Sequence, residues 1–128
     1  MIGEWEPAQT GAPVTVNDTL LKELAGYAEQ PSAAGDVLLQ QALPLLKVAE
    51  ADWQPALNLL DDTQLISLAF FFVRAEASLS GFEAGARNPA IWVFRFLKAQ
   101  GRKPAKEIVA ALKAATDNRF IPYGNALL

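Results

Sequence analysis

Apolar residues recur every three to four positions along most of this chain, and prolines, glycines and helix-capping residues separate the apolar runs. This spacing is typical of amphipathic α-helices. No segment alternates apolar and polar residues for long enough to predict a β-strand. We therefore predict an all-α fold, a compact single-domain bundle of six or seven helices over residues 17–116. We also expect an extended N-terminal arm over residues 1–16, and an ordered C-terminal tail over residues 117–128 that packs on the domain.

Helix-capping residues indicate where these helices begin. Asn17 or Asp18 begins the first helix, and Asp61 precedes a longer one. Asn88 followed by Pro89 is among the clearest starts, because an N-cap residue and a proline at the first helical position both favour a helix. Three further helices are expected to begin at Ser32, at Asp52 and at Pro104.

Pro44 lies inside the apolar run that extends from Ser32 to about Glu50. A proline within a helix removes one backbone hydrogen bond and clashes with the preceding turn. We therefore predict a kink or a break within one turn of Pro44.

Two segments, residues 65–79 and 91–97, are apolar around nearly their whole circumference. Such a helix is either enclosed by other helices or meets a partner with its outer face, and we favour the enclosed position. The run over residues 65–73 is far shorter than the roughly 20 residues that a membrane-spanning helix needs, so we expect no membrane anchor there. The second segment contains three aromatic residues, Trp92, Phe94 and Phe96. They could stack on nucleic-acid bases, but their helical spacing favours a position in the core.

The chain contains neither cysteine nor histidine. This composition excludes a disulfide framework, a Cys/His zinc site, a cysteine nucleophile and a Ser-His-Asp triad. Paired acids occur at Asp61–Asp62 and at Glu50 with Asp52, where they could in principle bind Mg²⁺, but each pair lies where a helix should begin. We therefore interpret them as capping residues, expect no metal and no cofactor, and favour a role other than catalysis.

Charge is distributed unequally along the chain. Residues 1–86 contain three basic and 12 acidic residues, whereas residues 87–128 contain eight basic and two acidic residues. This asymmetry indicates either a basic face directed at an external anion or an electrostatic contact between two parts of the same domain.

The candidate binding residues belong to the basic part of the chain. Arg95, Lys98 and Arg102 are spaced i, i+3 and i+7, so they share one face if the helix extends that far. In the tail, Arg119 and Tyr123 combine a guanidinium group with an aromatic ring. A structural role for the tail is the alternative. We name the following candidate anion- or partner-binding residues: Arg87, Arg95, Lys98, Arg102, Lys103, Arg119 and Tyr123.

These features favour a protein that acts by binding. We expect a small adaptor, regulator or assembly factor that contacts an acidic protein partner or self-associates. We also expect it to be cytoplasmic, because the first residues lack an export signal. The alternative is a pocket for a small anionic or phosphorylated ligand. A DNA-binding helix-turn-helix over residues 91–115 is less favoured. Its second helix offers only Lys106 and Lys113 to phosphates, and no Arg, Asn or Gln to base edges.

Overall fold

The computed structural model of the protein describes residues 15–116 and residue 118. In this part of the chain the structure is helical without strands, so the all-α prediction is confirmed there. Most of the expected arm and tail, residues 1–14, 117 and 119–128, lies outside the described residues. The described residues form six α-helices, in this order: α1 (Asp18–Ala25), α2 (Asp36–Ala42), α3 (Glu50–Leu57), α4 (Asp62–Ser78), α5 (Pro89–Ala99) and α6 (Lys106–Ala114). Three short 3₁₀ turns lie between helices: Pro31–Ala34, Leu43–Lys47 and Gly85–Arg87.

The helices that begin with a polar cap begin where the sequence predicts. The side chains of Asn17 and Asn88 each accept a hydrogen bond from a backbone N–H of the following first turn, and Pro89 is the first residue of α5. At the start of α4, Asp61 Oδ1 accepts from the backbone N–H of Gln64 at 2.8 Å, and Gln64 Oε1 accepts from the backbone N–H of Asp61 at 3.0 Å. This reciprocal capping box satisfies two backbone donors and fixes the start of the longest helix.

Three other predicted starts are wrong. Ser32 lies in a 3₁₀ turn, and Gly35, whose φ of 88° is unfavourable for other residues, separates that turn from α2. Asp52 lies two residues after the first residue of α3, and Pro104 lies two residues before the first residue of α6. Both of those helices follow an alanine, whose side chain cannot cap, so no polar residue marks their boundaries.

The predicted break near Pro44 is confirmed. Helix α2 ends at Ala42, and the chain continues as the 3₁₀ turn Leu43–Lys47, with Pro44 near its start. Pro44 cannot donate the backbone hydrogen bond that would continue α2, so the chain tightens and then turns towards α3.

Helices α4 and α5 form the centre of the molecule. α4 packs against α1 and α5, and α5 also contacts α3. Trp53 and Phe71 both contact Phe72 edge-to-face, with ring centroids 5.8 and 5.2 Å apart, and all three side chains are buried. The enclosed position predicted for the second apolar segment is confirmed by the burial of Trp92, Phe94 and Phe96.

Candidate functional site

The predicted stripe is not a single helical face, because α5 ends at Ala99 and Arg102 lies beyond the helix. Two of its arginines nevertheless contact acidic residues from the N-terminal part of the chain. Arg95 Nη1 donates to Glu50 Oε1 at 2.9 Å. Arg102 Nε donates to Asp62 Oδ1 at 2.7 Å, and Arg102 Nη2 contacts the same oxygen. Glu50 and Asp62 are the first residues of α3 and α4. The two ion pairs therefore join the basic part of the chain to two acidic helix starts.

The same arginines also lie over aromatic rings. The Arg95 guanidinium carbon is 5.5 Å from the ring centre of Trp92, and that of Arg102 is 5.9 Å from the ring centre of Phe96. Both distances are within the range of a cation–π contact. Each arginine is thus positioned by a carboxylate and a ring, and an external anion must compete with an existing ion pair to bind it.

The remaining predicted site residues do not gather around those arginines in one pocket. Arg87 Nη2 donates to the backbone carbonyl of Lys47 at 3.0 Å, which joins two connecting segments. Lys98 is exposed in the last turn of α5. Lys103 borders a different cavity, described next. The predicted tail residues Arg119 and Tyr123 lie outside the described residues.

A cleft of about 340 Å³ lies along α6 and the residues just before it. We call it the lysine cleft, because three of its six lining residues are lysines: Lys103, Pro104, Lys106, Val109, Ala110 and Lys113. Four of these six lie on α6 at positions i, i+3, i+4 and i+7, which brings them to one helical face. The cleft is therefore a product of the helical spacing in α6 and of the turn that leads into it.

The charge of the lysine cleft is not neutralised by the described part of the chain. Lys103, Lys106 and Lys113 are exposed, and none of them forms an ion pair or a side-chain hydrogen bond with the described residues. Glu107, the acidic residue of α6, is not among the lining residues. Val109 is half-buried and contributes apolar surface to the cleft. The cleft thus offers three ammonium groups around an apolar surface.

Lys103 is one of the site residues predicted from the sequence, whereas Lys106 and Lys113 were predicted as phosphate contacts of the less favoured DNA-binding alternative. Their spacing of seven residues, two helical turns, was visible in the sequence, and it could have identified a second basic face. The prediction centred instead on α5 and the residues just after it, where Arg95 and Arg102 are paired internally.

A second polar cluster is centred on Glu76 of α4. Its Oε2 accepts from the backbone N–H groups of Ala84 and Gly85 at 2.7 and 2.9 Å. Its Oε1 accepts from the side-chain amides of Asn88 and Asn118 at 3.1 and 2.8 Å. Four donors thus occupy the carboxylate, so we assign Glu76 a structural role in fixing the connection between α4 and α5.

Asn88 connects this cluster to the core. Its side chain is fully buried, and its Nδ2 also donates to the Phe72 carbonyl at 3.3 Å. Its Oδ1 accepts from Ala90 N at 2.9 Å, which caps α5. The sequence predicted the cap, but the partnership with Glu76 depends on tertiary packing across 12 residues.

No group of three or more acidic residues in residues 15–116 or at 118 is placed to hold a metal ion. No described helix combines the length and the apolar character needed to cross a bilayer.

Comparison of the chain with protein-family models, with curated proteins and with solved structures gave no match.

Proposed function

We propose that this protein acts by binding, as an adaptor, regulator or assembly factor that contacts an acidic protein partner through the lysine cleft. The observation that carries the proposal is the contrast between two sets of cations. Arg95 and Arg102 already contact carboxylates of the same chain, whereas the three lysines of the cleft have no counter-ion among the described residues. Exposed, unpaired cations attract an anionic partner without first breaking an internal contact.

An acidic protein segment fits both chemical features of the cleft. Its carboxylates would meet the ammonium groups, and one apolar side chain would cover Val109 and the neighbouring Pro104. The charges would mainly accelerate association and orient the partner, because exposed ion pairs contribute only about 0.2–1 kcal/mol each. The apolar contact would add affinity in proportion to the area it removes from water, about 25 cal/mol per Å².

A small anionic or phosphorylated ligand is the second candidate. The observation that favours it is the concave shape of the cleft, where three ammonium groups surround a volume of about 340 Å³. Such a ligand would satisfy the lysines without needing the apolar surface. A phosphate-containing probe and an acidic peptide therefore distinguish the two candidates.

Affinity purification from the native host tests the proposal. The bait is the full chain, compared with a cleft variant in which Lys103, Lys106 and Lys113 are all changed to Gln. The matched control changes three other lysines to Gln, so that the net charge is the same: Lys22, Lys47 and Lys98.

We expect a partner with an acidic surface to be recovered with the wild type and with the control, but not with the cleft variant. Equal recovery with both variants would show that the partner does not use the cleft. The proposal includes the cytoplasmic location expected from the sequence, which microscopy of the tagged chain in its host tests separately.

A further inference from the structure

A groove of about 630 Å³ lies away from the residues of the lysine cleft, between two connecting segments. We call it the loop groove. One wall is the 3₁₀ turn after α2, with Leu43, Pro44 and Leu46. The other wall is the connection between α4 and α5, including Gly81 and Ala84. The first wall presents mainly apolar surface, and Leu43 and Leu46 are only half-buried, so the groove leaves apolar area in contact with solvent.

The two walls are joined at defined points. Arg87 Nη2 donates to the carbonyl of Lys47 at 3.0 Å across the groove. Gly81 has a φ of 92°, and a Cβ atom built there would lie 3.4 Å from Leu43 Cδ2. The positive φ favours glycine at that position, and a Cβ atom there would make only ordinary contact with Leu43. The two walls of the groove are therefore joined by a hydrogen bond between connecting segments 40 residues apart in the sequence.

Asn118 brings the C-terminal part of the chain to the same connection. Its Nδ2 donates to Glu76 Oε1 at 2.8 Å and to the carbonyl of Gly85 at 2.9 Å. Gly85 directly follows Ala84, which lines the loop groove. The chain beyond Asn118 therefore starts from the segment that forms one wall of the groove.

The composition of residues 119–128 matches an apolar groove. Seven of these ten residues are apolar or aromatic, and Arg119 is the single charged side chain among them. Ten residues in extended conformation span up to about 33–36 Å, which is ample to cross a groove that begins beside Asn118. Apolar side chains that cover half-buried leucines gain free energy, because both surfaces leave water.

We infer that the loop groove binds residues 119–128 of the same chain, with Phe120, Ile121 or Tyr123 covering Leu43 and Leu46. The inference is independent of the proposed function, since the lysine cleft and the loop groove share no residue. It assigns the C-terminal segment a defined docking site, anchored at Asn118.

Nuclear Overhauser contacts in the isotopically labelled 128-residue chain test this inference directly. We expect contacts between the methyl groups of Leu43 or Leu46 and the ring protons of Phe120 or Tyr123. The same contacts should be absent from a filtered spectrum of mixed labelled and unlabelled chains. Random-coil chemical shifts throughout residues 119–128 would overturn the inference. Contacts seen only between chains would also overturn it, because the groove would then bind a second copy.

A double substitution, Phe120→Ala with Ile121→Ala, gives an independent readout. We expect it to shift the methyl resonances of Leu43 and Leu46, while the resonances of the exposed Leu59 stay unchanged. Unchanged Leu43 and Leu46 resonances would contradict the docking. In the control variant Leu59→Ala, the methyl chemical shifts of Leu43 and Leu46 should be the same as in the wild type.

Discussion

Replacing Glu76 by alanine removes one carboxylate that accepts four hydrogen bonds. Two of the donors are the backbone N–H groups of Ala84 and Gly85, and two are the side chains of Asn88 and Asn118. A hydrogen bond to a charged group contributes about 1.5–3 kcal/mol, but bonds to a single group do not add independently. Water can reach part of this site, because Glu76 is only half-buried. We therefore expect a loss of roughly 2–4 kcal/mol in the free energy of unfolding, well below the sum of four bonds.

Thermal unfolding followed by near-ultraviolet circular dichroism measures this loss. For a domain of this size, about 2–4 kcal/mol corresponds to a fall in Tm of roughly 10–20 °C. Glu76→Gln should lose at least half as much, because its amide nitrogen would face donors on one side of the cluster. Amide hydrogen exchange at Ala84 and Gly85 should accelerate in both variants.

Glu83→Ala is the matched control, because Glu83 lies in the same connection and is exposed. Its carboxylate accepts one local hydrogen bond, from the backbone N–H of Gly81 at 3.1 Å. We expect the control to change stability by less than about 1 kcal/mol. If Glu76→Ala were no more destabilising than Glu83→Ala, the structural role assigned to the Glu76 cluster would be wrong.

Three further outcomes follow from the ion pairs, the caps and the cleft. Arg102→Glu should lower the free energy of unfolding by about 1 kcal/mol, because it removes an exposed ion pair and places two carboxylates together. Adding Asp62→Arg should restore most of this loss in thermal melts, and no restoration would refute the ion pair. Asp61→Ala should cost about 1 kcal/mol in chemical denaturation, since it removes the side-chain cap of α4, and an unchanged midpoint would contradict the capping box. Association of the partner recovered with the wild type should slow as the salt concentration rises, because salt screens exposed lysines beyond about 8–10 Å, and a salt-independent association rate would contradict electrostatic recognition.

Local chemistry explains which parts of the fold could be predicted. Asn17, Asp61 and Asn88 cap the helices that follow them, and the determinants of a cap lie within three residues along the chain. The break at Pro44 has an equally local cause. Helices α3 and α6 begin after alanines, so their boundaries depend on packing that no residue near the boundary specifies.

The candidate site was predicted less completely, because its outcome depends on contacts between distant residues. The spacing of Arg95 and Arg102 predicts a shared face only if the helix reaches Arg102, whereas α5 ends at Ala99. The spacing also does not specify what lies opposite. Their partners Glu50 and Asp62 are 45 and 40 residues away in the sequence. The asymmetry of charge correctly raised the possibility of an internal contact, and the structure shows that contact for these two arginines.

Glu76 illustrates the same limit for a polar cluster. Its four donors come from positions between eight and 42 residues away, and two of them are backbone groups that no sequence motif marks. A glutamate in an apolar helix indicates only that the helix has a polar position. Only the tertiary structure identifies the donors to Glu76, because it places the α4–α5 connection and Asn118 next to this side chain.

The most direct test of the central claim is a titration of the ¹⁵N-labelled full chain with a glutamate-rich peptide that contains one leucine. We expect the largest chemical-shift changes at the cleft residues Lys103, Lys106, Val109 and Lys113. The affinity for the peptide should fall as salt is added, and binding should be lost in the variant with all three cleft lysines changed to Gln. Inorganic pyrophosphate, titrated in parallel, should bind more weakly, because it leaves the apolar surface uncovered; tighter pyrophosphate binding would favour the small-ligand alternative. Shifts centred on Arg95 and Arg102, or equal binding by the cleft variant and the variant of Lys22, Lys47 and Lys98, would contradict the assignment of the lysine cleft as the partner-binding site.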